Sequence, residues 1–459
     1  MSTRRDFLKQ TAASGVVAAA SMQVARAVED AGSGGMEQPN VDKTNLSWRS
    51  RIKSVIRRDE TVLRYGVHGD NWHMSWASDD RQYVSACDGV WFTDHSIEDY
   101  NSRIFAINGG PRDAKFHDIP GYPILGSRTQ KPGDTRYYNF GTLALDRQIY
   151  QFMSTYNRSR GADDQQNSDV NNLRFNGAKL IYSPDNGRTW HNQDGSTPVT
   201  WEPWGMRSRN TMVFFEEDQE AFSLLTVLQM GKNYEHNRDG YIYVYAPNGN
   251  TEGTMNELVM FRVPKGKLLD REHYEYFAGW SADRRPRWSR DIKARAVVHT
   301  FPRGWVNSLI HPFAWQPSVV YNAPLGLYMM ANWGMGTAPD GLWFGKPSYL
   351  GFWISHNPWG PWTQIHEETA WLPAGDERAR AYQPQIAPKW IAADGKSFWL
   401  VWTDYQEKDK GALERFNERM QEKLQQNNPD NDLAKLSVIL REYQPFYAFN
   451  VQRYDLVVA

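Results

Sequence analysis

The chain has 459 residues, 40% of them hydrophobic, and 52 Lys and Arg against 53 Asp and Glu give a formal net charge of -1 at pH 7. That length fits one large domain or two to three ordinary ones, and the charge leaves no basic field to hold a nucleic acid. A lone cysteine, Cys87, excludes an internal disulfide, while 20 Trp, 23 Tyr and 20 Phe supply flat rings suited to stacking on sugars or to filling an all-β interior.

Residues 1–27, MSTRRDFLKQTAASGVVAAASMQVARA, carry the pair Arg4-Arg5, then Phe7-Leu8-Lys9, a weakly apolar run and the small-residue pattern Ala25-Arg26-Ala27. This resembles a twin-arginine (Tat) signal peptide, which implies passage through the Tat translocase, cleavage after Ala27 and a periplasmic or secreted mature protein. Residues 28–47, rich in Gly, Ser, Asp, Glu and Asn, read as a disordered linker ahead of one catalytic domain over 48–459. No later stretch approaches the roughly 20 apolar residues of a membrane span.

From Tyr65 onward one arrangement recurs: a short β-branched or aromatic run, an Asp, Asn or Gly turn, and another such run, as in NFGTLALDRQIYQFMSTY and PQIAPKWIAADGKSFWLVWTDY. Period-two alternation over short runs predicts strands with one buried face, and the near absence of long helical patterns argues against a parallel sheet with helical crossovers. The runs fall into groups near 62–107, 135–200, 210–280, 310–365 and 380 to the end. Each suits one four-stranded antiparallel sheet, so the expected fold is an all-β, five-bladed β-propeller.

Ser183-Pro184-Asp185-Asn186-Gly187-Arg188-Thr189-Trp190 matches the S-x-D-x-G-x-T-W Asp box of sialidase-like propellers, a hairpin-turn device that supports fold and assigns Asp185 no chemistry. The segment 406–442 departs from its surroundings. LERFNERMQEKLQQ sets Leu413, Phe416, Met420 and Leu424 at helical spacing, DLAKLSVILREY repeats the trend, and Asn428-Pro429-Asp430 divides them. It reads as a helical hairpin inserted in the last blade, either a solvated decoration or a lid or docking arm.

Hydrolysis of a glycosidic bond needs two carboxyl groups, one protonated to assist the leaving oxygen and one ionised as base or nucleophile. The stretch YGVHGDNWHMSWASDDRQYVSACDG holds four candidates. Asp79 and Asp80 occupy a turn and read as turn chemistry. Asp70 and Asp88 lie 18 residues apart at the ends of one predicted hairpin, which would bring them together, and these are the candidate catalytic pair. His68, Asn71 and Trp72 around Asp70, and Asn139, Lys232, His236, Gln316 and Gln383 on strand edges or loops, are candidate sugar contacts. Trp76 and Trp91 are weaker candidate platforms, Trp333 and Trp402 candidate strand-edge contacts, and Asp239-Gly240 reads as a turn. Cys87, inside an alternating run, reads as a small buried residue. The 11 His show no metal-ligand spacing, so neither a catalytic metal nor another cofactor is expected, though the fold leaves room for an oxygen-ligated structural Ca2+ at its centre. No G-x-S-x-G elbow, P-loop or dinucleotide fingerprint occurs.

GDNWHMSWASDDRQYVSACDG, YNSRIFAINGGP, GTLALDRQIYQFMS, SPDNGRTW, GYIYVYAPNGN, LVMFRVPKGKLLDREHYEYFAGW, SVVYNAPLGLYMM and NPWGPWT, in this order over residues 65–363, together resemble a bacterial five-bladed propeller family long of unknown function, some members of which are endo-D-arabinanases. The resemblance implies a glycoside hydrolase, with an arabinan-like furanoside among the candidate substrates and a first-blade carboxylate pair falling on Asp70 and Asp88. Two other functions fit the same residues: a non-catalytic carbohydrate-binding propeller, and a polysaccharide lyase using His68, Lys232 or His236 as its base.

Overall fold

The computed structural model describes residues 52–92, 97–125, 136–158, 173–202, 213–249, 256–301, 316–338, 344–425 and 439–459. The expected signal peptide and linker lie outside them. Five antiparallel sheets make a five-bladed β-propeller. The first blade holds β2 (Met74–Trp76), β3 (Gln82–Phe92), β4 (Ile97–Asn108) and β5 (Lys115–Asp118), and is preceded in the chain by the long strand β1 (Ile52–His68). The second holds β6 (Arg136–Leu145), β7 (Gln148–Arg158), β8 (Leu173–Ser183), the short β9 (His191–Asn192) and β10 (Val213–Phe215). In the third are β11 (Thr226–Val227), β12 (Tyr241–Pro247), β13 (Glu257–Pro264), β14 (Glu275–Trp280), β15 (Pro286–Ser289) and β16 (His299–Thr300). The fourth has β17 (Ser318–Asn322), β18 (Leu327–Gly334), β19 (Tyr349–Ser355) and β20 (Thr363–Glu368). The fifth has β21 (Ala381–Ile386), β22 (Ser397–Asp404) and β23 (Ala448–Val458), with helix α1 (Ala412–Gln425) between the last two.

The outer edge of the fifth blade is β1, paired antiparallel to β23 from Ile52↔Val458 to His68↔Ala448. The sequence grouping had started the first blade near residue 62. The run at 62–68 instead closes the ring, joining the first described strand to the last and leaving the propeller no open seam between its ends. Alternation alone could not reveal this, because an outer strand of one blade and an inner strand of the next have the same period.

Blades are joined along the axis by the segment that leads into β2. Asn71 N donates to Gln383 Oε1 of the fifth blade at 3.0 Å, and Asn71 Oδ1 accepts from Gln316 Nε2 beside the fourth at 3.1 Å. Two residues on, Thr142 N and Val227 N, from the second and third blades, lie 3.1 and 3.2 Å from the two ring nitrogens of His73. A neutral imidazole has one acceptor nitrogen, so only one of these amides is satisfied at a time. Burial holds His73 neutral, depressing its pKa to about 3.

The Asp box forms as its pattern requires. Asp185 Oδ1 accepts from Arg188 N and Thr189 N, Gly187 takes a φ of 90°, and Trp190 packs edge-on to Tyr122. Of the helical insertion, α1 and helical residues 439–443 are described, and 426–438 lie outside the described residues. Its apolar spacing is used: Leu413 and Phe416 bury against Trp333, Tyr382, Tyr405 and Tyr447 on the propeller. The described part of the insertion is therefore docked on the propeller.

Candidate active site

Inner strands begin at one end of the propeller, termed here the upper end, and Asp70 lies there just before β2. The ladder between Asp70 and Cys87 is closed by two backbone bonds, Asp70 N to Cys87 O at 3.0 Å and Cys87 N to Asp70 O at 2.9 Å. The hairpin thus brings the aspartates together as its length suggested, with Asp88 one residue beyond the cross-strand partner of Asp70. Ladder geometry puts their Cα atoms about 6 Å apart. One detail differs from the sequence reading: β3 continues to Phe92, so Asp88 lies inside a strand and not at its end.

Asp88 has a φ of 47°, which breaks the up-and-down alternation of β3. Cys87 faces the second blade, where its sulfur receives Asn139 N at 3.1 Å. Asp88 Oδ1 accepts from Asn101 Nδ2 at 3.0 Å, and Asn101 Oδ1 in turn accepts from Tyr137 N of the second blade. Burial, and then the Asp70 and Asp88 carboxylates, push the Cys87 thiol well above its usual pKa. It is an inert buried thiol between two acids. The glycines beside the acids are needed for space. A Cβ at Gly89 would collide with the Tyr100 hydroxyl and the His68 carbonyl, which are hydrogen-bonded at 2.6 Å.

Asp70 is 9% exposed, and its Oδ2 accepts two hydroxyls, from Tyr382 and from Tyr447, each at 2.8 Å. Tyr382 begins the inner strand of the fifth blade, and Tyr447 ends the return of the helical insertion. Burial, Asp70 and Tyr447 together hold the Tyr382 hydroxyl well above its ordinary pKa, so it stays protonated and acts as a donor. Two donors on one oxygen favour the ionised carboxylate.

The predicted sugar contacts separate into three groups. Asn71, Gln316 and Gln383 form the polar ring just below Asp70, all three at positive φ (62°, 56° and 54°). Gln316 Oε1 is buried with no hydrogen-bond partner among the described residues. His68 lies at the same end, its ring centroid 5.0 Å from that of Tyr447.

Trp72 and Asn139 are part of the core. Trp72 is fully buried, donates through Nε1 to Thr403 Oγ1 and packs edge-on to Phe449, so it offers no face to a sugar. Asn139 spends its amide on Arg103 O and the Tyr122 hydroxyl as a link between the first two blades. Trp402, likewise, is buried beside Trp371.

Lys232 and His236 lie at the opposite end. Lys232 Nζ is 3.3 Å from Asp80 Oδ1, in the turn after β2, and His236 faces Glu235. The length of β2 and its lead-in separates them from Asp70 by on the order of 20 Å. Trp76 is there too, bonded to Asp80, while Trp91 packs on Phe105 and donates to Asp118. The turn assignments hold: Asp79 accepts from Arg81 N, and Asp239 accepts from Tyr241 N beside Gly240, whose φ is 78°. Among the described residues no three His, Cys, Asp or Glu converge as metal ligands.

Tyr382 and Tyr447 escaped the sequence reading because they lie 312 and 377 residues from Asp70. The one local signal was that Tyr382 directly precedes Gln383, at the same strand-start position that Asp70 holds ahead of Asn71.

No family model matches this sequence, and no curated protein matches it. Among solved structures, the catalytic domain of a Coprinopsis cinerea GH62 α-L-arabinofuranosidase is similar at 11% identity and a TM-score of 0.39, over 91% of this chain and 93% of that one. A GH43_1 enzyme from Xanthomonas citri gives 10% identity and 0.39 over 88% and 90%, and has also been solved with xylotriose. A Bacillus halodurans xylan β-1,4-xylosidase gives 10% and 0.41 over 76% of this chain and 52% of that one. These structural neighbours are glycoside hydrolases. Among the described residues no helix is long and apolar enough to cross a membrane.

Proposed function

We propose that the protein is an exported glycoside hydrolase acting on a polysaccharide or its oligomers, with Asp70 and Asp88 as the carboxyl pair. The observation that carries this reading is the setting of Asp70: a nearly buried carboxylate at the axial end, fed by two tyrosine hydroxyls, one ladder step from a second, half-buried acid. Asp70, with donors favouring its anion, takes the part of base or nucleophile, and Asp88 that of the general acid. Asn71, Gln316 and Gln383 floor the site, and the unpartnered Gln316 Oε1 is an acceptor that a sugar hydroxyl would satisfy. An arabinan-like furanoside belongs to this proposal through the sequence resemblance. Export rests on the Arg4-Arg5 leader.

Lysis by elimination is the weaker alternative, since two of its three candidate bases, Lys232 and His236, sit at the far end of the propeller. The experiment is to incubate the mature protein with a panel of plant, algal and bacterial polysaccharides and follow both reducing-end release and absorbance at about 235 nm, the signature of an unsaturated product. Reducing ends without that absorbance are expected. Both signals together favour elimination, and retention of a glycan without cleavage favours a binding propeller.

A further inference from the structure

With Trp72 and Trp402 buried, an aromatic face able to receive a sugar near Asp70 has to come from elsewhere. Phe344, between β18 and β19, has a φ of 53°, a backbone state that bulky residues seldom adopt and that persists only where neighbours enforce it. Arg380 does so: its Nε donates to Phe344 O at 2.7 Å, while its Nη1 bonds the carbonyls of Glu377 and Ala379. The Phe344 ring stacks on Tyr405 at 4.7 Å and 24°, and meets the Tyr382 ring at 5.0 Å. Leu413 and Phe416 of α1 pack into the same cluster. Phe344 itself remains half-buried, so the residue is not spent wholly on this cluster. One ring contact and one hydrogen bond separate it from Asp70.

We propose that Phe344 is the platform of a sugar-binding subsite beside Asp70, taking the apolar face of a neutral glycan unit, and that the helical insertion braces it. This rests on the glycoside reading. It also gives the insertion a role, because Leu413 and Phe416 of α1 pack into the aromatic cluster that holds Tyr382, Tyr405 and the Phe344 ring.

The test uses binding without turnover. Asp70→Asn protein is applied to an array of plant, algal and bacterial envelope oligosaccharides, and the bound glycan is titrated by calorimetry against Asp70→Asn carrying Phe344→Leu or Phe344→Trp. Leu keeps bulk and removes the flat face; Trp keeps the face. Binding about tenfold weaker with Leu and within about twofold with Trp is expected. Unchanged affinity in the Leu variant overturns the subsite alone. Absence of any bound glycan overturns the subsite and the glycoside reading together. Ring-dependent binding, with no cleavage by the wild-type protein, supports the subsite and overturns hydrolysis.

Discussion

Tyr382 donates its hydroxyl to Asp70 Oδ2 at 2.8 Å, from the start of the fifth blade's inner strand to the approach to the first. That bond and its twin from Tyr447 tie the candidate catalytic carboxylate to the blade that carries the helical insertion. Among the groups that meet Asp70 are these two phenols and, across the ladder, Cys87 of β3. Losing one donor removes stabilisation of the anion alone. Tyr382→Phe is therefore expected to move the acidic limb of the kcat/KM profile upward by about one to two pH units, a charged hydrogen bond being worth about 1.5–3 kcal/mol. Activity at the alkaline plateau should change far less. A uniform drop with an unmoved limb would reduce Tyr382 to a packing role.

His73 makes stability sensitive to acid. Its folded pKa of about 3 lies below the ordinary 6.5 because of burial, so the unfolded chain takes up its proton first as pH falls. The stabilisation is complete above about 6.5 and declines as pH drops towards 3. His299, lowered to about 4 by burial, adds to the same slope. Between pH 6.5 and 4.5, urea unfolding of the wild type should lose about 2–3 kcal/mol more than that of His73→Gln. Equal losses would show that the ring is not held neutral.

The Asp box belongs to the opposite end of the propeller from Asp70, and its acid is committed to the turn. Asp185 accepts from two backbone amides, the Thr189 hydroxyl and Ser183 Oγ. Asp185→Ala is expected to cost about 1–2 kcal/mol in unfolding free energy while leaving kcat/KM within about twofold. A selective loss of activity at unchanged melting temperature would contradict its assignment as a turn device.

What the sequence disclosed follows the range of the forces involved. Period-two alternation and the Asp box are local, and they sufficed for the propeller and its five sheets. The Asp70 to Asp88 juxtaposition was also legible, because a single hairpin makes it. Ring closure by β1, the His73 link between three blades and the Tyr382–Tyr447 clamp depend on contacts between residues far apart in the chain, from 69 residues at Thr142 to 377 at Tyr447, for which no spacing rule exists. Trp72 and Asn139 misled for a related reason. Trp72 follows an acid by two residues and Asn139 lies near the start of β6, positions that suit a binding site, and only the packing of Phe449 and Tyr122 against them shows that their surfaces are spent. Lys232 and His236 lay on a polar loop, but a loop's end of the propeller is fixed by strand direction, which composition does not report.

The central claim, that Asp70 and Asp88 are the working carboxyl pair, is tested most directly by measuring kcat/KM of Asp70→Asn and Asp88→Asn on the glycan that the wild-type protein cleaves. Each variant should retain the wild-type melting behaviour within a few degrees and lose at least about a hundredfold in kcat/KM. Folded variants that cleave at the wild-type rate would contradict the account and move the chemistry to other residues of the upper end.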